Sequence, residues 1–319
     1  MASPFGTTAD FAVDAMSSNK YVWNSGIREP AVHRMVIGLS STQTETMKLL
    51  KSTTIDSASP EWLQETLAAV NTSNAFPEAA DYTYTDQNNP GRIQNVVQHF
   101  RKTAQVSGRA MKDKYFAAIG NILMRQVQVR GKELVRDMNY AIINGTIANT
   151  GEGAATTTRG ILSSISGSSN ETDLAGALMT SANLKSLIKS VWTDNFEPTD
   201  IVSPSVVQDL IDTFTFNTTD YEMTDKLKAT SFKNVFVTGY GIVTTHVEKD
   251  HFWVDPTDNQ AQMFCLDKSM WELGWYRKTW MEDPPKDGDR YRKVIQGEFA
   301  VLDLASGYAG ASYDNIGTT

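Results

Sequence analysis

The stretch RGKELVRDMNYAIINGT, residues 130–146, reads as the second half of a long helix that ends at Asn144-Gly145. Its pattern continues backwards to about Ile119. At ~100° per residue, Leu123, Val127, Leu134, Met138 and Ala141 fall in one narrow sector, with Arg125, Lys132 and Arg136 opposite. From Ile119 to Ile143 such a helix runs about 37 Å at ~1.5 Å per residue. Its own propensity is poor, because Gly131 costs ~1 kcal/mol relative to Ala and Val127, Val129 and Val135 are β-branched. Packing must stabilise it. Val129 and Ile143 lie on the cationic side, where an isolated surface helix needs no apolar residue, so the pattern predicts a covered outer face.

Charge is segregated around this helix. From Arg92 to Arg136 there are ten cations against two anions, in a chain whose formal net charge is -8. Just upstream, Asp56, Glu61, Glu65, Glu78, Asp81 and Asp86 occur in a stretch without Lys or Arg. A basic block alone would suggest nucleic acid. An acidic block beside it suggests that the chain is its own partner.

The acidic stretch belongs to a long excursion over residues 56–107. DYTYT (81–85) alternates with period two, as a strand does. DQNNPG (86–91) is a turn cluster, and RIQNVVQHFRKTAQV (92–106) returns as a strand or strand pair. A protruding hairpin fits this order better than a packed domain. Before it, residues 1–55 read as an extended arm rich in Ser, Thr, Ala and Asn. After the helix, residues 144–171 read as a flexible Gly/Ser/Thr loop. ETDLAGALMTSANLKSLIKSVWTD (171–194) then reads as helix, TDIVSP as strand, SPSVVQDLIDTF as helix and FKNVFVTGYGIVTTHV as strands. That alternation predicts a compact α/β unit over 176–248. Residues 249–319 read as further strands joined by the turn EDPPKDGD.

The chemistry-bearing residues are scattered. Cys265, the single cysteine, sits in MFCL and reads as a small buried hydrophobe, in keeping with a reducing compartment. His246 and His251, five apart in a β context, point to opposite faces and make poor joint metal ligands. His33 and His99 have no obvious company. The acids of DPTDN and DPPKDGD lack EF-hand spacing. GEGAATTTRG lacks the GK[ST] of a phosphate loop, and no hydrolase or kinase signature occurs. Trp271, Trp275 and Trp280 read as core or interface anchors. No catalytic residue, cofactor site or metal site is expected. With no apolar run near ~20 residues and no secretory pattern at the start, neither a membrane partner nor export by that route is expected.

The order of parts resembles the major capsid proteins of tailed bacteriophages, with the Hong Kong 97-type fold. The resemblance covers most of the chain from about Glu61 onward. It is carried by FRKTAQVSG (100–108), LVRDMNYAIINGT (134–146), the RGIL that follows, and the final GD…GEFAVL. The arm stretch LSSTQTETMKLL (39–50) departs from it. The resemblance implies an α+β fold: an N-terminal arm (1–55), an extended β-hairpin loop (56–107), a peripheral domain with its long spine helix (108–175), an axial α/β domain (176–248), and returning strands of the peripheral domain with the C-terminal tail (249–319). It implies self-assembly into hexamers and pentamers of an icosahedral shell around double-stranded DNA, inside a virion assembled in the host cytoplasm. Separate scaffolding, portal and decoration proteins are candidate partners, and packaged DNA would be touched weakly and without sequence preference. Two other readings stand beside it. An encapsulin-like compartment would have the same fold around cargo enzymes, and a soluble enzyme would run as a compact monomer.

Three expectations follow. Arg125, Lys132 and Arg136 are expected to meet the acidic loop of a neighbouring copy, through Glu61, Glu65, Glu78 and Asp81. No scaffolding segment is expected to be fused to the chain, since only about 55 charge-poor residues precede the loop. Shells are expected to hold without covalent cross-links, since no lysine lies between Lys51 and Lys102 and one thiol links copies at most in pairs.

Overall fold

Two large sheets and a separate two-stranded ribbon share the chain, and the chain crosses between the large sheets more than once. The computed structural model describes residues 44–65, 67, 69–82, 84, 89–113, 121–149, 154–214, 235–249, 254–255, 260–286 and 288–317. The arm before residue 44, His33 and His251 lie outside them. In chain order the elements are α1 (Glu45–Leu49), β1 (Lys51–Thr54), β2 (Glu61–Gln64), β3 (Gly91–Gln94), β4 (Gln98–Ser107), α2 (Gly108–Lys112) and α3 (Ile122–Asn144). Then come α4 (Ile161–Gly167), β5 (Glu171–Asp173), α5 (Ser181–Thr193), β6 (Asp200–Pro204), α6 (Ser205–Thr213), β7 (Val235–Thr238) and β8 (Gly241–Glu248). The last are β9 (Val254–Asp255), β10 (Gln260–Leu266), β11 (Trp271–Glu282), β12 (Arg290–Asp303) and β13 (Gly310–Gly317).

The first sheet has four strands in the order β1-β11-β12-β4, and α3 lies across it. Asn121 starts the helix, its side-chain oxygen accepting the N–H groups of Leu123 and Met124 at 3.0 and 3.1 Å. Leu123, Leu134, Met138 and Ala141 are buried as the periodicity requires, and Val127 packs at the margin. Leu134 and Met138 join Phe100, Trp275, Ile295 and Phe299 in one core. Each of these large side chains contributes roughly 1.5–3 kcal/mol by leaving water, which offsets the poor propensity of the helix. Phe100 and Phe299 stack with ring centroids 4.8 Å apart.

Two details of α3 come from tertiary contact rather than from its own pattern. Gly145 ends the helix with φ -56°, so it is not there for a left-handed turn. A Cβ at Gly145 would lie 2.4 Å from Ala141 O and 2.5 Å from Thr158 O, so glycine is required by the close approach of the returning chain. Ile143 is fully buried in the chain's own core, because α1 and α4 both pack on the end of α3. Of the two apolar residues read on the cationic side, Val129 is the one left uncovered, at 47% exposed.

The second sheet has seven strands, in the order β5-β13-β10-β6-β8-β7 with β9 beside β10. It draws β10 and β13 from beyond residue 248. β6 is buried along its whole length and takes a neighbour on each side, β8 in parallel and β10 antiparallel. On one face, Leu184, Leu187, Ile188 and Val191 of α5 and Val207 and Ile211 of α6 pack with Ile201, Met263 and Cys265. On the other, Val202, Phe264 and Leu266 join the core of the first sheet.

Residues 171–194 are not one helix. Glu171–Asp173 form β5, the chain turns through Ala175 and Gly176 at positive φ, and α5 starts after Thr180, whose hydroxyl caps Asn183 N–H at 3.2 Å. The supposed flexible loop holds α4, with Ile161 and Ile165 fully buried.

β2 and β3 form a separate two-stranded antiparallel ribbon. β4, though it follows directly, pairs with β12 over ten residues and belongs to the first sheet. DYTYT forms no strand at its described residues: Asp81, Tyr82 and Tyr84 carry no ladder and are exposed. Among the described residues no strand of this chain pairs with them.

Candidate functional site

The ribbon is held firmly at its root. Asn95 is buried and donates its amide to Val301 O at 2.6 Å and Arg159 O at 3.2 Å, while its oxygen accepts Arg159 N–H at 2.9 Å. Val97 N–H bonds Ala58 O at 2.9 Å, and Ser306 donates its hydroxyl to Gln64 at 2.6 Å. Beyond this root every described residue from Glu65 to Pro90 is exposed. Leu63, Leu67, Val70, Phe76, Tyr82 and Tyr84 are all exposed. So many bare apolar side chains on one projection mark an interaction surface.

The acids ride on the same projection. Glu61 is paired within the ribbon, 3.2 Å from Arg92, and so is less available to a neighbour than the sequence reading assumed. Glu65 is exposed. Glu78 and Asp81 are exposed without an ion-pair partner among the described residues.

The cations follow the outer stripe of α3. Lys132 is exposed, Arg125 and Arg136 are half-buried, and Val129 lies between the first two. Arg125 and Lys132 have no ion-pair partner among the described residues. Neighbouring charges are already used: Arg130 pairs with Glu133 at 2.7 Å, and Lys102 with Asp137 at 2.5 Å.

Other polar groups serve the fold. His99 stacks on Trp280 at 6.4 Å between centroids and shares a 2.9 Å hydrogen bond with Gln296. The Arg277 guanidinium lies 4.4 Å over the Trp280 ring and grips Glu298 with two nitrogens, one at 2.7 Å, which holds the Glu298 carboxyl below the usual carboxylate range. Periodicity carries no signal for this cluster, since its members come from three strands. Burial pushes Asp200 up, yet hydrogen bonds from His246 and Thr199 and the charge of Lys268 hold it below its ordinary value. His246 is thereby satisfied, at 2.8 Å from Asp200. Burial pushes the Cys265 thiol far up, so it stays protonated and inert. Among the described residues no cluster of His, Cys, Asp and Glu is placed to hold a metal ion, and no helix is long and apolar enough to cross a membrane.

A projection built for contact, on a sheet-and-helix body, is the geometry of a subunit. The model of the SU10 major capsid protein family matches residues 9–315. The chain belongs to that family. This major capsid protein is a structural component of a virion and associates with its own copies to form the shell. Solved structures agree in fold. A chain of Mycobacterium phage Bobi superposes with TM-score 0.62 at 11% identity, covering 90% of this chain and 95% of that one. The capsid of a native GTA particle gives 0.63 at 14%, covering 95% and 100%. The holo-SrpI encapsulin complex from Synechococcus elongatus gives 0.55 at 11%, covering 92% and 98%, so the compartment reading shares the fold but is the weaker match. No curated protein sequence matches the chain.

Proposed function

We propose that this capsid protein assembles through hexamers and pentamers into a closed icosahedral shell around double-stranded DNA, within the host cytoplasm, and that it catalyses no reaction. The observation that carries this reading is the rooted excursion, whose described residues leave six large apolar side chains exposed, Leu63 on β2 and five beyond it. A monomeric enzyme has no use for such a projection. A shell subunit needs one, because it must bury its outlying surface on the next copy.

Between copies, the acidic projection (Glu65, Glu78 and Asp81, with Glu61 near its root) lies against the cationic stripe Arg125, Lys132 and Arg136 of the neighbour. Each exposed pair contributes only about 0.2–1 kcal/mol, so repetition over the shell and burial of apolar surface carry the cohesion. The five domains keep the bounds read from the sequence, except that β4 is counted with the peripheral sheet, and β10 and β13 with the axial one. Portal, scaffolding and decoration proteins remain candidate partners. Sedimentation of the expressed chain tests the reading. Shells run as very large, uniform particles, whereas a slow species of 35.3 kDa that stays so at every salt concentration overturns it.

A further inference from the structure

Between β12 and β13 the chain turns on a buried carboxylate. Asp303 accepts the Ala305 N–H at 3.1 Å, and the Gly307 N–H and the Ser164 hydroxyl of α4 are directed at it as well. Ser306 and Gly307 take positive φ, 51° and 83°, and a Cβ at Gly307 would collide with Ser164 O. The turn is thus wound tightly against α4, with Asp303 at its centre.

Wound in this way, the turn reaches the ribbon. β2 leaves the body at Pro60, whose carbonyl accepts the Asn95 N–H at 3.1 Å, and runs outward to Gln64. Asn95 fixes the near end. At the far end of β2, Gln64 accepts the Ser306 hydroxyl at 2.6 Å. The ribbon therefore has a pivot and a brace, about 10 Å apart along a strand that rises ~3.4 Å per residue. A two-stranded ribbon is marginal by itself in water, so the brace bears on its order as well as its angle.

The charge on Asp303 decides how well the turn is held. Three donors converge on it, and an ionised carboxylate is an acceptor only. A proton makes one oxygen a donor, and the bonds that remain lose their charge assistance. Arg159, just before α4, is a charged side chain acting on this carboxyl. α4 itself (ILSSISG) has no titratable residue, Glu272 beside it on β11 is held by Lys51 and Thr53, and Tyr308 of the turn is exposed. Burial pushes the carboxyl up to about 6, so the change falls between neutral and mildly acid pH. Protonation removes a buried charge and so favours the fold as a whole, while it slackens this one turn.

We propose that Asp303 controls the brace on the ribbon: as a carboxylate it holds Ser306 against Gln64, and on taking up a proton it loosens the turn and frees the ribbon to pivot about Asn95. Its use in assembly rests on the shell reading, because a subunit that must place its projection on a neighbour gains from a root that can be set or released. The hinge itself is a property of the single chain.

The test is hydrogen exchange of the full-length, unassembled chain between about pH 7.5 and about pH 5, read by mass spectrometry. Each rate is divided by that of an unstructured peptide at the same pH. Protection of residues 61–64 and 305–310 is expected to fall at least about tenfold across this window, the loss of one charge-assisted bond, with its midpoint near 6. Asp303→Asn, which cannot ionise, is expected to show the low value at both ends. Ser306→Ala is expected to leave the ribbon poorly protected throughout while the turn keeps its transition. Ribbon protection that stays level with pH in the unsubstituted chain overturns the proposal. So does a transition that persists in Asp303→Asn, or a ribbon that Ser306→Ala leaves unchanged. If Asp303→Asn does not fold, the unsubstituted chain and Ser306→Ala still decide. None of these outcomes touches the shell reading, which sedimentation tests.

Discussion

Glu248 accepts two hydrogen bonds from Thr46 across 202 positions of sequence: the backbone N–H at 3.0 Å and the hydroxyl at 3.1 Å. Both residues are buried, and Asn139 of α3 accepts the next N–H, that of Met47, at 3.3 Å. α1 is therefore tied both to β8 of the second sheet and to α3, which lies across the first. Thr46→Val removes the hydroxyl bond to a buried carboxylate, which costs about 2 kcal/mol. Urea unfolding of the unassembled chain, followed by tryptophan fluorescence, should show a lower midpoint. An unchanged midpoint would mean that the contact contributes nothing.

Asp303 lies where the chain leaves the first sheet for the second, and burial pushes its carboxyl up to about 6 from an ordinary 3.8. The folded state binds this proton more tightly than the unfolded chain, so the carboxylate destabilises the fold at and above neutral pH. That loss, about 3 kcal/mol at ~1.4 kcal/mol per pKa unit, is relieved as pH falls through 6 toward 4. Asp303→Asn should flatten the dependence of unfolding free energy on pH in this window. A variant that keeps the wild-type slope would assign the effect to other groups.

Much of the body was legible in the sequence, because α3 is a local pattern: its stripe of Leu123, Leu134, Met138 and Ala141 is set by periodicity alone. The extent of the second sheet was not, since β10 and β13 join β6 and β5 across long stretches of chain. β5 is three exposed edge residues, too short and too polar to stand out. That the helix ends at Gly145 was legible, but why glycine stands there was not, because crowding by Thr158 is a tertiary fact. Of the candidate contact residues, the sign of each block was readable. That Arg92 already engages Glu61 required the register of β2 against β3.

Charge reversal tests the contact between copies. Arg125→Glu with Lys132→Glu should reduce shell yield most at low salt, where exposed charges are least screened. Glu78→Lys with Asp81→Lys should do the same. Combining all four should restore yield toward wild type. Yield that falls further in the quadruple variant would show that the two sets do not face each other.

Shell cohesion without covalent links has a simple readout. Particles boiled in detergent and reductant should run as one band near 35.3 kDa. A ladder of multimers surviving both treatments would require a cross-link elsewhere, with Lys102 the first lysine to examine.

Cryo-electron microscopy of purified particles tests the central claim most directly. The expected result is closed shells in which this chain forms rings of six and five, with each ribbon crossing onto the adjacent copy and its acidic end against that copy's Lys132 and Arg136. Rings in which the ribbon folds back on its own chain, or a chain that forms no shell, would contradict it.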